Sequence, residues 1–417
     1  MIKDLTDDTK ESNKNRAFLK THQNAKYIDS TIKNIYTPKE VLESIDVSSI
    51  KIIGITGTNG KTSTAAIIYS LLLDLGYKVA MQGTRGFFVN EEQIEDKSLT
   101  TPSILNTIKH LHIAKENDCQ YFVMEVSSHA IHQKRIEGIE YELKILTNIT
   151  SDHLDYHKTY EEYKSVKESF FLGNAKKLIN KDTIEIKFDK SNAYTYSLDK
   201  PATFKVDAYS LKNGITALIK HISENASFES NLCGVFNVYN LLAAVSAVKI
   251  VTKTSLEKIC EQVPNFLGVS GRAEVVHSKP SVIVDFAHTE DGIKNILESL
   301  KTPNLIVVFG AGGDRDKSKR AKMGKTVQHY AKEIIITNDN PRSEDPIEII
   351  QDIIEGLDED TNALAVPDRK QAIYKALSLA NEDDIVCILG KGDETYIEID
   401  NQKIPHNDKA CVLEYYN

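Results

Sequence analysis

Residues Lys51 to Thr64 read KIIGITGTNGKTST: a short apolar, β-branched run, a glycine-rich turn, then Lys-Thr-Ser-Thr opening a helical pattern. Strand, glycine turn and helix in that order form the context in which backbone amides and a helix N-terminus cradle phosphates. The spacing departs from the strict Walker A pattern, which needs a glycine five places before Gly60, where this chain has Ile55. The local chemistry survives: Gly57 and Gly60 permit positive φ, Lys61 can reach terminal phosphates, and Thr62 offers a hydroxyl to Mg2+.

Outward from this stretch, short apolar runs recur, each closed by a turn residue and followed by a longer segment of helical period. They are KIIGITG (51–57), YKVAMQG (77–83), YFVMEVS (121–127), LKILTNI (143–149), SVIVDFA (281–287), NLIVVFG (304–310), EIIITND (333–339) and DIVCILG (384–390). This is the grammar of an α/β protein. The runs fall into two groups, separated by a polar stretch of mixed pattern near 180–235 and a helical region at 236–262. Gly268, Ser270 and Gly271 supply a hinge between a central domain, 48–268, and a C-terminal one, 269–417. The first 47 residues are too few for a self-sufficient core and are expected to pack on the central domain as a cap.

A length of 417 residues suits two or three domains, and 41% hydrophobic with 27% charged residues is a globular composition. The net charge of -9 arises from 60 acidic and 51 basic residues that are interspersed. With no basic stripe to track a phosphate backbone, nucleic acid is a poor partner. Cys119, Cys233, Cys260, Cys387 and Cys411 are odd in number and widely spaced, against a disulfide framework or zinc knuckle. The polar N-terminus lacks an apolar signal core, and no run of about 18 apolar residues occurs. A cytoplasmic protein without membrane insertion is expected.

The TGTNGKT turn resembles that of the Mur ligase family. MEVSSHAIHQKR (124–135), TNITSDHLDYH (147–157), GVFNVYN (234–240), SGRAEVV (270–276), VDFAHTEDGI (284–293), FGAGGDRDKSKR (309–320), DNPRSEDP (339–346) and LGKGDE (389–394) are similar, in the same order, to blocks of its MurE branch. That branch comprises the UDP-N-acetylmuramoyl-dipeptide ligases that add the third residue of the peptidoglycan stem. The resemblance implies a three-domain architecture: a reduced N-terminal cap for the UDP substrate (1–47), a P-loop ATPase-like domain (48–268) and a Rossmann-like amino-acid-binding domain (269–417). It also implies ATP and Mg2+ as cofactors, with ATP, UDP-MurNAc-L-Ala-D-Glu and meso-diaminopimelate as small-molecule substrates of a monomer.

Such a ligase activates a carboxylate as an acyl phosphate, which an amine then attacks. An anionic carboxylate must meet a polyanionic triphosphate, so metal ions and Lys or Arg clamps are required. Glu125 ends its strand run at the edge where open α/β sheets place ligands. The resemblance makes Lys61, Glu125, His153 and Lys167 the catalytic set, and Thr62, Glu125 and His153 the magnesium residues together with a CO2-derived carbamate (N6-carboxylysine) on Lys167. By helix physics alone, Lys167 reads as a solvated lysine. The implied ATP contacts are Gly57, Thr58, Asn59, Gly60, Lys61, Thr62, Ser63, Asn237, Asn240, Arg272, Asp285 and His288; Asn237 and Asn240 share a helical face at i and i+3, where plain capping residues would also fit. The last three imply closure of the C-terminal domain over the nucleotide. Phe286 and Glu290 replace the family's usual tyrosine and proline.

The UDP-muramoyl-peptide contacts carry over to Thr9, His22, Gln23 and Asn24 in the cap and to Thr100, Thr101, Ser127, Gln133 and Arg135. Those to diaminopimelate fall on Arg315, Asp339, Asn340, Pro341, Arg342, Gly390 and Glu394. Arg315 and Arg342 suit the distal carboxylate of diaminopimelate, and Glu394 its ammonium; lysine would leave the guanidinium groups unpaired. Asp393 stands where the family often has histidine. The alternatives are the same ligation with L-lysine, a folylpolyglutamate synthase-like ligase, and a non-catalytic ATP-regulated binding protein. DNPR and SSHAIHQKR oppose the second, and the presence of Lys61, Glu125, His153 and Lys167 opposes the third.

Overall fold

The computed structural model describes residues 4–11, 16–96, 99–212, 214–300 and 302–417. Residues 1–3 and 12–15 of the expected cap lie outside that set. The chain divides into two compact units, one of Met1–Ile149, Thr159–Asn231 and Asn237–Leu267, the other of Thr150–Lys158, Leu232–Phe236 and Gly268–Asn417.

The first unit is built on an eleven-stranded sheet. Lys51–Thr56 lies in its middle, flanked in parallel by Tyr121–Glu125 and Leu143–Leu146. Such strands are covered on both faces, which is why they read as continuous apolar runs; Ile52, Ile53, Ile55, Phe122 and Val123 are all buried. Val79–Gly83 continues the parallel sheet on one side and turns back through Gly86–Val89 and Glu92–Glu95. On the other side come Lys176–Asn180, Ala193–Ser197 and Phe204–Ser210, then two antiparallel strands, Ile215–His221 and Glu224–Ser230.

The polar stretch of mixed pattern is therefore strand-rich, ending in an antiparallel meander from Phe204 to Ser230. From Ile215 to Lys220 buried and exposed residues alternate, the mark of a sheet with one solvated face.

The N-terminal residues form a three-stranded parallel sheet, Leu5–Thr6, Ala17–Leu19 and Ile35–Tyr36. Among the described residues, Leu5, Ala17, Leu19, Val41 and Leu42 join the apolar cluster that contains Ile52 and Phe122. The helix Val235–Thr252 is long and apolar enough to cross a membrane by composition, but 72% of its window is buried inside the protein. It opens the helical region expected at 236–262, and Asn237, Tyr239, Asn240, Ser246 and Lys249 interrupt its apolar residues.

The second unit has a six-stranded sheet in the order Glu274–Ser278, Ser281–Asp285, Ile385–Leu389, Leu305–Phe309, Glu333–Ile336, Ala363–Ala365. All pairs are parallel except the first. One face packs Ile293, Ile296 and Leu297 against Val307 and Phe309; the other packs Ala372, Ile373 and Ala376 against Ile306 and Val308. The strands Ile385–Leu389, Leu305–Phe309 and Glu333–Ile336 are neighbours, so their carboxyl ends lie side by side at one edge.

Candidate active site

In the first unit, the turn between the strand Lys51–Thr56 and the helix Lys61–Asp74 is clasped by the segment after Leu143–Leu146. Asn148 accepts from the Thr58 amide through its backbone oxygen and from the Asn59 amide through Oδ1, both at 2.9 Å. Thr147 Oγ1 donates to the Asn59 carbonyl at 2.6 Å. A Cβ on Gly57 would lie 1.8 Å from Thr147 Oγ1, so only glycine fits there. Gly60 caps the helix with φ 82°, and a Cβ on it would lie 2.5 Å from Asn240 Oδ1. Asn240 in turn accepts from Thr64 Oγ1 at 3.3 Å and donates to Asn237 at 3.0 Å. Both asparagines are buried, and Asn240 sits against the glycine turn. Lys61 Nζ donates to the Gly57 and Thr58 carbonyls, each at 2.8 Å.

Glu125 ends its strand opposite Ile55 and is buried. Oε2 accepts from Thr62 Oγ1 at 2.9 Å, and Oε1 from the Thr84 amide at 2.8 Å. Thr84 Oγ1 adds a contact to Oε2 at 3.3 Å and another to Thr100 Oγ1 at 3.2 Å. Thr84 was not among the residues singled out in the sequence; its only signal was its place in the turn after a strand run. Mg2+ takes hard oxygen ligands, usually one or two carboxylates with substrate phosphates. The Thr62 hydroxyl and Glu125 carboxylate fit that donor set, and among the described residues no group of three or more His, Cys, Asp or Glu side chains gathers as a competing cage.

Lys167 lies on the helix Tyr160–Phe170, whose buried residues are Tyr163, Lys167 and Phe170 at i, i+4 and i+7. It is 1% exposed, and Nζ donates to the Gly57 carbonyl at 2.9 Å. Lys164 points elsewhere, 3.6 Å from Glu168. The residues expected to hold the muramoyl peptide also come together: Thr101 Oγ1 donates to the Glu125 carbonyl at 2.9 Å and accepts from the Ser127 amide at 3.0 Å. Arg135 donates to Gln133 Oε1 at 2.9 Å and to the Thr101 carbonyl at 3.0 Å. In the cap, Asn24 is buried and its amide donates to the Asp7 and Leu19 carbonyls, whereas His22 and Gln23 are exposed and Thr9 is half-buried. Asn24 thus serves the fold of the cap.

In the second unit, His153 Nε2 lies 3.3 Å from Asp152 Oδ2, and Lys319 donates to Oδ1 at 3.1 Å. Burial opposes ionisation of Asp152, yet His153, His288 and Lys319 together hold its carboxyl well below the usual range. Asp285 accepts from the Ala273 and Ala287 amides at 2.7 Å each, and burial still pushes its carboxyl up against them and Arg272. The Arg272 guanidinium stacks 4.3 Å from the Phe286 ring centroid.

The three loops at the neighbouring strand ends converge. Arg342 Nη1 donates to the Gly313 carbonyl at 2.7 Å, and its Nε pairs with Glu398 at 3.1 Å. Asn340 Nδ2 donates to Glu394 Oε2 at 3.0 Å. Lys391, fully buried, bridges Asn340 Oδ1 at 3.0 Å and Glu394 Oε2 at 2.7 Å, leaving Oε1 of Glu394 outside that network. Asp339 Oδ2 is buried with no hydrogen-bond partner, and a Cβ on Gly390 would lie 2.3 Å from it. Pro341 packs its carbonyl under Gly313, where a Cβ would lie 1.8 Å away. Arg315 is exposed and lines an open pocket of about 570 Å³ with Leu154, Lys158, Asp314 and Asp316. The carboxylate paired with Arg342 is thus Glu398, while Glu344 pairs with Arg320 at 2.9 Å.

Residues 55–248 match the Mur ligase middle domain and 271–392 the Mur ligase glutamate ligase domain. The chain is 50% identical over 412 residues to a UDP-N-acetylmuramoyl-L-alanyl-D-glutamate–2,6-diaminopimelate ligase of Helicobacter hepaticus, covering 96% of this chain and 89% of that one. The chain belongs to the Mur ligase family. A solved structure of a ligase of that same name is similar to this Mur ligase with a TM-score of 0.69 and 29% identity, over 99% of this chain and 94% of the other. A Mycobacterium tuberculosis folylpolyglutamate synthase shares the fold at a TM-score of 0.70 and 16% identity, over 85% and 91% of the two chains. That likeness concerns the fold alone.

Proposed function

We propose that this Mur ligase joins meso-diaminopimelate to UDP-N-acetylmuramoyl-L-alanyl-D-glutamate at the expense of ATP, in peptidoglycan precursor synthesis. The observation that carries the reading is the convergence of Asp339, Asn340, Arg342 and Glu394 on the edge formed by three neighbouring strands. Two carboxylates and a guanidinium group there match an amino acid with an ammonium and a carboxylate at its far end.

The first unit carries the activation chemistry. Backbone amides of the Gly57–Gly60 turn and the Lys61 ammonium bind the triphosphate. Thr62 and Glu125 would hold Mg2+, which would supply charge neutralisation where phosphoryl transfer develops it. Thr100, Thr101, Ser127, Gln133 and Arg135 orient the muramoyl dipeptide so that its terminal carboxylate takes the γ-phosphoryl group, giving an acyl phosphate and ADP. Lys167, as a carbamate, would present oxygen donors in place of an ammonium beside Gly57.

The second unit chooses the amine. Asp339 and Glu394 offer carboxylate oxygens to ammonium groups; Arg315 and Arg342 offer guanidinium groups to the distal carboxylate. The amine attacks the acyl carbon, the tetrahedral intermediate expels phosphate, and an amide results. The working form is a cytoplasmic monomer.

Phosphate release from ATP with UDP-MurNAc-L-Ala-D-Glu and either meso-diaminopimelate or L-lysine tests this. Turnover with diaminopimelate and little with lysine is expected; equal rates would overturn the selectivity, and none with either would favour a binding protein.

A further inference from the structure

Arg369 opens the helix Arg369–Leu379, a position where a cation opposes the helix dipole, and its side chain is 1% exposed. Burying an ion pair carries a large desolvation cost, and apolar replacements often match it, so such a pair is weak evidence of stabilisation. What the guanidinium touches is more informative. Nε and Nη2 form a fork on Asp408 at 2.8 and 2.7 Å. Nη1 donates to the Asn338 carbonyl and Nη2 to the Leu389 carbonyl, both at 2.9 Å.

Those carbonyls belong to the residues immediately before Asp339 and Gly390. One planar, rigid group therefore fixes the separation of the two loops that carry the amino-acid site. Asp408 is itself held: it begins the helix Asp408–Tyr416, where a carboxylate is favoured, and His406 Nε2 lies 2.8 Å from Oδ1. The adjacent Asn407 Nδ2 donates to the Glu394 carbonyl at 3.1 Å. The separation has no slack, because a Cβ on Gly390 would already lie 2.3 Å from Asp339 Oδ2.

We propose that Arg369, buttressed by Asp408, is a positioning residue for selection of the third amino acid, setting the distance between the Asp339–Arg342 and Gly390–Glu394 loops. It rests on the amino-acid role assigned to those loops above. A lysine at 369 keeps the charge but cannot span two carbonyls and a carboxylate at once.

The test is steady-state kinetics of wild type, Arg369→Lys and Asp408→Asn with meso-diaminopimelate, L-lysine, ATP and the UDP-dipeptide, with thermal melts of each. Arg369→Lys is expected to raise KM for diaminopimelate about tenfold or more and to lower the diaminopimelate-to-lysine ratio of kcat/KM by a similar factor. Its KM for ATP should stay within about twofold. Asp408→Asn, isosteric, should move the same quantities in the same direction. Unchanged KM and ratio in a folded variant, parallel rises in both KM values, or failure of both variants to fold would overturn the positioning role. Wild type inactive with diaminopimelate would instead overturn the proposed function.

Discussion

Lys167 Nζ donates to the Gly57 carbonyl at 2.9 Å from a side chain that is 1% exposed. A lysine buried against a phosphate-binding turn, beside the Tyr163 ring at 4.8 Å, is placed for something other than solubility. If it works as a carbamate, activity depends on CO2. Turnover should fall in buffer stripped of CO2 and return with bicarbonate, and native mass spectrometry should find one added CO2 that Lys167→Arg lacks. Activity indifferent to bicarbonate would show that the free ammonium is the working form.

Thr84 gives Glu125 two hydrogen bonds, but only the one from its hydroxyl is removed in Thr84→Val. A hydrogen bond to a charged group contributes about 1.5–3 kcal/mol, which corresponds to roughly tenfold to a hundredfold. The variant should need more Mg2+ for half-maximal activity and lose kcat/KM on about that scale, with little change in Tm. An Mg2+ titration superimposable on wild type would remove Thr84 from the metal-binding shell.

Glu344 lies just beyond the Asp339–Arg342 loop and accepts from both terminal nitrogens of Arg320 at 2.9 Å. That pair, with the Asp314 amide, holds its carboxyl at about 2 against the opposing effect of burial, below the ordinary 4.5. Because the folded value is depressed, the stabilisation is complete above about pH 4.5 and is lost as pH falls toward 2. The Tm difference between wild type and Glu344→Gln should be largest near neutrality and shrink through that window. A difference independent of pH would mean that shape, and not charge, makes the contribution.

The eight apolar runs were legible because strands covered on both faces leave no alternation to confuse with a helix. The strands between Ala193 and Ser230 were not, since ENASFES buries only Ala226, Phe228 and Ser230 in an otherwise polar segment. The loops after the strand ends were legible as loops at the carboxyl edge of the sheet, and their family blocks made them the expected ligand-bearing ones. Their supports were not: Lys391 is fully buried and Arg369 nearly so, and no spacing rule distinguishes a lysine or arginine that turns inward to a carbonyl from one that meets water. Lys167 shows the same blindness: Tyr163 and Phe170 mark its face as inward, but the period does not say whether a lysine there turns in or reaches out to water.

Arg315 and Arg342 flank Gly312, where a Cβ would lie 3.1 Å from Arg342 Nη1 and 3.8 Å from Arg315 Cγ, yet the two are held differently. Arg342 has φ 54°, its amide donates to the Glu398 carbonyl, and its side chain reaches Gly313 and Glu398. Arg315 is exposed at the edge of an open pocket. Both variants should therefore raise KM for diaminopimelate, but only Arg342→Ala should also lower Tm, because it releases a loop tied on both sides. Arg315→Ala should leave Tm and KM for ATP unchanged while narrowing the preference for diaminopimelate over lysine. If neither variant alters that preference, the distal carboxylate is recognised elsewhere; if Arg342→Ala changes KM for ATP alone, the loop serves the nucleotide instead.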